Sequence, residues 1–489
     1  MSAAGVEAIS IGARLAEIAA QKPDAPAITS QDVTLTWAEL HRRSNRMARG
    51  LLAKGVGHGD FLTIALPNGV PFVEVCYACW KIGAVPQPVS SRLPASELAA
   101  IVELADAPIV VSDTPLASPR PVVSSGELLA ASADESDLPD AVSPSWKAPT
   151  SGGSTGRPKL IVSGTAGLTA KGGGATSFWR HTADTVALMP GPLYHNGPFA
   201  NVFGALNAGA HVIVMPKFDA EATLREIERH RANWIYLVPT MMSRIWRLPN
   251  RTDFDVSSLK TVWHLAAPCP PLLKEQWIEW LGADAIWELY GGTEAQAATT
   301  ISGPEWLTHR DSVGRVMPGG EMKAFDAQGR ALPPGETGEI YMRHDPSLPP
   351  TYRYVGAEAR TLPGGWESIG DIGWFDEEGY LYLADRRTDM ILVGGANVYP
   401  AEIEAALDEH PLVASSAVIG LPHEELGNLV HAIVQPRPGL DIEELKRHLA
   451  ERLVIYKQPR SFELVDENVR DDAGKVRRTA LRDARVKKG

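Results

Sequence analysis

Apolar positions in the first quarter of the chain recur with two different periods. In TWAELHRRSNRMARGLLAKG, residues 36–55, they recur every three or four residues, which predicts an amphipathic helix. The short apolar runs DFLTIAL and PIVVS, residues 60–66 and 108–112, predict buried strands. Strands that alternate with helices are typical of βαβ units, so this region predicts an α/β domain with a mostly parallel sheet.

The pattern continues and then changes twice toward the C-terminus. HVIVM and WIYLVP, residues 211–215 and 234–239, predict two more buried strands, each with a helix nearby. From Gly319 to Leu383, short strands of two-residue period separated by Gly-rich turns predict a small antiparallel or barrel-like unit. After residue 388, the helix PAEIEAALDEH and the strands VASSAVIGLP and LVHAIVQP predict a compact α+β unit.

These changes in the periodicity of the apolar positions define the expected domains. A boundary between Arg386 and Asp389 separates an N-terminal domain, residues 1–387, from a C-terminal domain, residues 388–489. We expect an α/β fold in which parallel-rich subdomains and the barrel-like unit form the large domain. A small α+β unit forms the other. A chain of 489 residues, 44% of them hydrophobic, is long enough for about two to four such cores.

Charge and cysteine content exclude several classes of partner. The formal charge of −12 disfavours nucleic acid and anionic membrane surfaces. Three cysteines, Cys76, Cys79 and Cys269, cannot form a disulfide framework, so we expect a reducing compartment and a cytoplasmic protein. Cys76 and Cys79 form an isolated CxxC in an apolar helix pattern, and we interpret them as core residues. The uncharged residues 191–216 include Asn, Gly, Pro and His, so they predict a buried helix and strand, not a membrane span.

The segment TSGGSTGRPKL, Thr150 to Leu160, has two interpretations. Runs rich in Ser and Gly are commonly flexible linkers. A phosphate loop uses the same residue types, because Gly permits close backbone approach, hydroxyl and amide groups donate hydrogen bonds, and a nearby Lys supplies charge. The segment alone leaves both interpretations open.

Four further polar segments follow it. They are YGGTE after the strand AIWEL, SIGDIGW, DRRTDMILVGGANVYPAEIE and DDAGKVRRTALR. A Thr and a Glu at a strand end can bind a phosphate oxygen and a hydrated magnesium ion, and an Asp in a Gly-flanked turn can accept two ribose hydroxyls. Each segment alone also has a structural explanation as a turn, a helix cap or a solvated lysine.

Taken together and in this order, the five segments resemble the motifs of the adenylate-forming superfamily, which includes acyl-CoA synthetases, nonribosomal-peptide adenylation domains and luciferases. The resemblance extends from about Leu35 to Arg482. It implies a large and a small domain joined by a hinge, and two half-reactions that use ATP and Mg²⁺. A carboxylic acid first displaces pyrophosphate from ATP, and an acceptor then attacks the acyl-adenylate after the small domain rotates.

The resemblance also implies roles for individual residues. Lys475 bridges the carboxylate and the α-phosphate, Glu294 binds magnesium and Thr293 contacts phosphate. His195, in PLYHNGP, gates the acyl site; a buried histidine of the core is the alternative. Pyrophosphate is held by Thr150, Ser151, Ser154, Thr155 and Lys159, adenine lies against Tyr290, and the ribose is fixed by Asp371 and Arg386. The implied ATP/AMP-binding set also includes Gly152, Gly153, Gly156, Gly291, Gly292 and Thr293.

The sequence departs from the family pattern at two places. Thr388 occupies the hinge position, where Asp or Lys is usual. WHLAAPCPP stands where relatives commonly read GGAPL, so that Leu265 and Ala266 replace glycines. We expect these side chains to reshape the acyl channel, whose predicted lining comprises His195, Trp263, Leu265, Ala266, Ala267 and Tyr290.

The acceptor and the acid are less closely defined. GGANVYP resembles the segment that lines the pantetheine tunnel of CoA-dependent relatives, with Gly394 and Gly395 at the channel. LYHNGPF and HLAAPCPP are similar to bile-acid or steroid CoA ligases and to neighbouring amide-forming synthetases. We predict an acid–thiol ligase that joins a bulky apolar carboxylic acid to coenzyme A; an amide synthetase that uses a free amine is the alternative. A nucleotide sensor is disfavoured because Glu294 and Lys475 are both present. The oligomeric state is open, with a homodimer among the options.

Overall fold

A computed structural model of the chain describes residues 7–152, 158–173, 179–386, 389–393, 396–423, 426–471 and 474–486. Several predicted site residues lie outside the described residues: Gly153, Ser154, Thr155 and Gly156 of the phosphate segment, the hinge residue Thr388, and Gly394 and Gly395 of the acceptor channel. The backbones of Ser151, Gly152 and Arg386 are described.

The N-terminal region contains the predicted βαβ units. Its elements are β1 (Ala8–Ser10), α1 (Ile11–Gln21), β2 (Pro26–Ser30), β3 (Val33–Thr36), α2 (Trp37–Ala53), β4 (Phe61–Ile64), α3 (Val70–Lys81), β5 (Val85–Pro88), α4 (Ala95–Ala105), β6 (Val110–Val111), β7 (Val122–Val123), α5 (Ser125–Ala130), β8 (Thr150–Gly152), β9 (Pro158–Ser163) and β10 (Leu168–Ala170). Strands β5, β4, β6 and β7 pair in parallel in that order. Cys76 and Cys79 are completely buried in α3, as predicted.

The middle of the chain forms a second, larger parallel array. Its elements are β11 (Val186–Met189), α6 (Asn196–Asn207), β12 (His211–Val214), α7 (Ala220–His230), β13 (Trp234–Leu237), α8 (Pro239–Trp246), β14 (Thr261–Leu265), α9 (Pro271–Leu281), β15 (Ile286–Gly291), β16 (Ala298–Ser302), α10 (Gly303–Thr308) and β17 (Ser312–Val316). Strands β12, β11, β13, β14 and β15 are parallel neighbours in that order. The uncharged residues 191–216 form α6 and β12, as predicted.

The carboxyl ends of parallel strands lie at one edge of a sheet, where open α/β folds bind ligands. The connections that leave β11, β13, β14 and β15 therefore meet at this edge. They contain His195, Val238, Ala266 and Glu294 respectively.

The next segment contains the antiparallel strands that were predicted, and it corrects only the barrel-like arrangement. Its elements are β18 (Gly320–Phe325), β19 (Gly338–His344), β20 (Tyr352–Val355), β21 (Arg360–Leu362), β22 (Trp366–Phe375) and β23 (Tyr380–Arg386). Among the described residues these strands form no closed barrel. Strand β15 pairs antiparallel with β16, β16 with β17, and β17 with β23, so β23, β22, β19 and β18 extend the parallel sheet to 14 described strands. If these strands formed a separate barrel, the backbone N–H and C=O groups at one edge of β17 would stay unpaired. Pairing with β23 satisfies them.

The C-terminal region is the predicted α+β unit. It comprises β24 (Ile391–Val393), β25 (Ala396–Val398), α11 (Pro400–Asp408), β26 (Val413–His423), β27 (Gly427–Pro436), α12 (Ile442–Ala450), β28 (Ser461–Leu464) and α13 (Arg478–Val486). Its sheet packs around a hydrophobic core of its own, which includes Val418, Ala432 and Leu445. The boundary at residues 387 and 388 lies outside the described residues and stays a prediction.

Within the described ranges, no helix is both long enough and apolar enough to cross a bilayer.

Candidate active site

The phosphate segment is a hairpin rather than a linker in the part that the structure describes. Strands β8 and β9 pair antiparallel, with Thr150 opposite Leu160 and Ser151 opposite Lys159. Strand β20, from a distant part of the chain, adds to the other side of β9. This pairing fixes the arms of the predicted loop and directs Lys159 toward the sheet edge. The Lys159 ammonium nitrogen lies 3.9 Å from Glu294 Oε1.

Glu294 sits in the turn that follows β15 and is almost completely buried. The phenol of Tyr354 on β20 donates a hydrogen bond of 2.6 Å to Glu294 Oε1, and Thr351 Oγ1 donates one of 2.8 Å to the Glu294 carbonyl. The Lys159 ammonium lies 3.7 Å from the centre of the Tyr354 ring. Sequence analysis missed Tyr354, because its position depends on the pairing of β20 with β9.

The surroundings of Glu294 fit a magnesium ion bound together with a nucleotide. A Cβ on Gly292 would lie 2.7 Å from Glu294 Oε2, so a glycine there leaves the oxygen accessible. Over the described ranges no group of three or more His, Cys, Asp and Glu side chains could hold a metal ion. Magnesium commonly uses only one or two protein carboxylates and takes its other ligands from water and substrate phosphates. Glu294 suits that mode of binding.

Strand pairing assembles the predicted ribose and adenine residues. The phenol of Tyr290, at the end of β15, donates a 2.7 Å hydrogen bond to Asp371 Oδ2 on β22. Asp371 is 6% exposed and lies opposite Arg386 in the register of β22 and β23. A buried carboxylate at this position can accept hydrogen bonds from a diol. The Tyr290–Asp371 contact was not predicted.

His195 lies directly before α6, at the N-cap position. Its Nε2 atom is buried and has no hydrogen-bond partner in the part of the chain that the structure describes. Burial lowers the pKa of His195 to about 3, and the charges of Lys475 and Arg477 act in the same direction. The imidazole is therefore neutral at pH 7, and a polar ligand group would satisfy the buried nitrogen.

Residues of the predicted acyl pocket follow β14. Ala266 has a φ of 75°, a left-handed conformation that favours glycine, which explains the glycine that relatives commonly have there. Ala267 is half-buried, and Leu265 ends the strand. Trp263 is completely buried, and its Nε1 donates a 3.3 Å hydrogen bond to the Trp179 carbonyl. Its place in the pocket stays a prediction.

The C-terminal domain brings Lys475 to the same sheet edge. Asp471 and Lys475 are joined by two hydrogen bonds of 2.9 Å, in which Asp471 N donates to the Lys475 carbonyl and Lys475 N donates to Asp471 Oδ1. Gly474 packs on the end of β13: a Cβ there would lie 2.8 Å from Thr240 Oγ1 and 3.5 Å from Val238 Cγ2. The Lys475 charge contributes to the lowered pKa of His195, so the ammonium lies close enough to the imidazole to interact with it electrostatically.

A second contact holds the two domains together. The Arg247 guanidinium, directly after α8, donates hydrogen bonds of 2.6 Å to the carbonyls of Val413 and Asp408. Sequence analysis did not identify Arg247. A surface arginine carries no sequence signal for binding backbone carbonyls of another domain.

Gly474→Ala should weaken the docking of the Lys475 turn. Gly474 has a φ of 75°, where a Cβ costs about 1–2 kcal/mol, and that Cβ would crowd Thr240. We expect ATP–pyrophosphate exchange to fall about tenfold, whereas the thermal midpoint should fall by only a few degrees, as in the control variant. Gly439→Ala is the matched control, because Gly439 has a φ of 93° but a Cβ there meets nothing within 4 Å. An equal loss in both variants would mean that backbone strain, not docking, is responsible.

Comparison with known proteins agrees with this geometry. Residues 15–352 match the AMP-binding enzyme family, and residues 402–475 match the AMP-binding enzyme C-terminal domain. The chain belongs to the AMP-binding enzyme family, within the adenylate-forming superfamily. The class predicted from the sequence, an AMP-forming acid–thiol ligase, is confirmed.

Two curated relatives and one solved structure illustrate the similarity. The chain is 31% identical to a fatty acid–[acyl-carrier-protein] ligase, ScoC, of Streptomyces coeruleorubidus, over 95% of the chain and 94% of the relative. It is 33% identical to a feruloyl-CoA synthase of an Amycolatopsis species, over 95% and 96%. The o-succinylbenzoate CoA synthetase of Bacillus subtilis, solved with its acyl-adenylate intermediate, superposes with a TM-score of 0.82 at 27% identity, over 97% of this chain and 98% of that one.

Proposed function

We propose that the protein activates a bulky, ring-containing or aromatic carboxylic acid with ATP, releases pyrophosphate, and transfers the acyl group from the adenylate to coenzyme A. The observation that carries this proposal is the docked turn of Lys475. This turn packs against Val238 and Thr240, and the charge of Lys475 acts on the neutral imidazole of His195, whose buried Nε2 has no hydrogen-bond partner among the described residues. A nucleotide-binding site alone has no need of a cation opposite the acid.

The first half-reaction joins two anions, so the site must supply positive charge where negative charge accumulates. Lys475 neutralises the carboxylate and the α-phosphate as the new C–O–P bond forms. Lys159 balances charge on the departing pyrophosphate, with Thr293 as a hydroxyl donor. Tyr290 and Asp371 hold the nucleoside, which keeps the α-phosphorus in line with the attacking oxygen. A magnesium ion held by Glu294 and the phosphates would supply further positive charge.

The second half-reaction needs the Lys475 turn to leave. For this movement, the packing of Gly474 on Val238 and Thr240 and the described hydrogen bonds of Arg247 to carbonyls would have to break. Interfaces of this kind separate readily. Rotation would then present the segment containing Gly394 and Gly395 to the acyl-adenylate, and the thiol would displace AMP.

The choice of acid rests on the acyl side of the cleft. Ala266 and Leu265 add side chains where the family commonly has glycines, and Tyr290 and His195 lie at the same edge. A pocket shortened in this way favours a compact ring over a long straight chain. The feruloyl and o-succinylbenzoate enzymes act on ring-containing acids, which supports this preference. ScoC is named for a fatty acid and an acyl-carrier protein, so the family varies in both the acid and the acceptor.

A panel of carboxylic acids tests the proposal. We expect pyrophosphate release, and AMP and a thioester on addition of CoA, with aromatic or polycyclic acids and little with long straight chains. Product analysis with CoA and with a set of amines separates the thioester from the amide alternative. If no acid supports pyrophosphate release, the proposal is wrong.

A further inference from the structure

Lys147 is a buried lysine that the family motifs leave unassigned. It stands three residues before Thr150, at the base of the phosphate hairpin, and is 6% exposed. Its carbonyl accepts hydrogen bonds from the Ser163 amide, at 3.1 Å, and from Ser145 Oγ, at 2.8 Å. The backbone of Lys147 is thus fixed to the same strand, β9, that carries Lys159.

The side chain of Lys147 reaches toward the active-site end of α6. Its ammonium nitrogen donates a hydrogen bond to Asn196 Oδ1 and lies 4.3 Å from the centre of the Trp146 ring. Asn196 is the first residue of α6 and directly follows His195. The ammonium group therefore lies between the phosphate hairpin and the residue predicted to gate the acyl site.

The charge of this ammonium is poorly compensated. No carboxylate in the described part of the chain forms an ion pair with it, and its hydrogen-bond acceptor is a neutral amide. Burial lowers the pKa of Lys147 to about 7, and the carboxylate of Glu294 acts in the opposite direction. A cation near the N-terminus of a helix is also unfavourable. A buried cation of this kind usually has an anionic partner.

The side chains of the surrounding cleft carry more positive than negative charge, so the cleft can accommodate such an anion. Lys159 lies beside Glu294, and Lys475 and Arg477 act on His195, so several cations converge. Glu294 and Asp371 are the buried carboxylates that we place in the same site. With a fully ionised polyphosphate bound, the excess of positive charge disappears.

We propose that Lys147 is a second lysine of the polyphosphate site, which together with Lys159 binds the β- and γ-phosphates of ATP and the pyrophosphate product. This inference rests on the proposed function and extends it to a residue outside the family motifs. Through Asn196, phosphate occupancy also fixes the start of α6, and with it the position of His195.

Binding of three ligands to two variants tests the role of Lys147. Lys147→Gln keeps a donor for Asn196 without the charge, and Lys147→Met removes both. We expect the dissociation constants of ATP and inorganic pyrophosphate to rise about 10–100-fold in both variants, the scale for losing a hydrogen bond to a charged group. That of AMP, which lacks the β- and γ-phosphates, should stay within about twofold.

Lys81→Gln is the matched control. Lys81 is 7% exposed, and burial lowers its pKa to about 7 as well, but it contacts His41 and Asn45 of α2 instead of the sheet edge. This variant should bind all three ligands like the wild type. Equal binding of ATP by the Lys147 variants and the wild type, or an equal loss for ATP and AMP, overturns the proposal for Lys147.

A measurement on the unmodified protein is independent of any effect on folding. At a pH of about 8.5 free ATP is fully ionised and Lys147 is mostly neutral, so polyphosphate binding should draw about one proton onto the protein. Calorimetry in two buffers of different ionisation enthalpy measures this uptake. We expect uptake with ATP and none with AMP; no uptake with ATP overturns the proposal. A wild-type protein that binds no ATP at all would refute the proposed function, which is a different result.

Discussion

Lys475→Ala should lower ATP–pyrophosphate exchange by about 10²–10³-fold, the scale for losing one preorganised electrostatic contact. In the proposed mechanism the Lys475 ammonium is the cation that the C-terminal domain supplies, and its removal leaves the carboxylate and the α-phosphate to approach each other without compensation. Transfer to CoA from a supplied acyl-adenylate should be nearly unchanged, because that step uses the other face of the domain. The exchange assay uses the best acid of the panel.

Lys446→Ala serves as the control for Lys475→Ala. Lys446 lies on α12 of the same domain and is exposed, where it pairs only with Glu443 among the described residues. Its replacement should leave exchange within about twofold of the wild type. An exchange rate for Lys475→Ala that matches this control would remove Lys475 from the mechanism. A similar loss in both half-reactions would instead indicate that the variant is misfolded.

Glu294→Gln should lower adenylation by about 10²-fold and abolish most of the dependence on magnesium. Glutamine keeps the shape and an acceptor for the Tyr354 phenol, but it lacks the negative charge that holds the metal ion. Loss of a magnesium contact removes charge stabilisation of the transition state worth several kcal/mol. Binding of ATP, measured with and without magnesium, should show a clear effect of the metal in the wild type and little in the variant.

Glu377→Gln is the control for the charge change, since Glu377 is exposed in the turn between β22 and β23. It should retain the magnesium effect. AMP binding reports on Tyr290 and Asp371, and should be normal in both variants. If magnesium enhances ATP binding to Glu294→Gln as strongly as to the wild type, another group holds the metal ion.

Strong periodicity made several elements predictable from local sequence alone. Helix α2 begins with a capping box formed by Thr36 and Glu39, and its apolar positions face the core, so the sequence signal and the structure coincide. Strands β12 and β13 are buried on both faces and appear in the sequence as continuous apolar runs. Alternation of these elements was sufficient to predict the parallel sheet.

For the predicted barrel-like unit, the local pattern identified the strands but not which strands pair with each other. The two-residue period between Gly319 and Leu383 predicted strands, and strands are present, but period does not specify the partner of an edge strand. The chain turns back after β15 and again after β16, so one edge of β17 is available for a further strand. Strand β23 pairs with that edge. The same limit applies to β20, whose pairing with β9 brings Tyr354 to Glu294.

The amino-acid sequence by itself determined the order of α/β and α+β units, the family, and the identity of the polar segments, because these depend on local periodicity and on residue types at short spacing. Only the tertiary structure decided which of these residues meet. Parallel pairing of β11, β13, β14 and β15 brings the connections that contain His195, Val238, Ala266 and Glu294 to one edge. Docking of Gly474 on that edge adds Lys475, and burial encloses the Lys147 ammonium, which has no ion pair within the described part of the chain. Long-range contacts and desolvation act between residues far apart in the chain, and no local pattern encodes them.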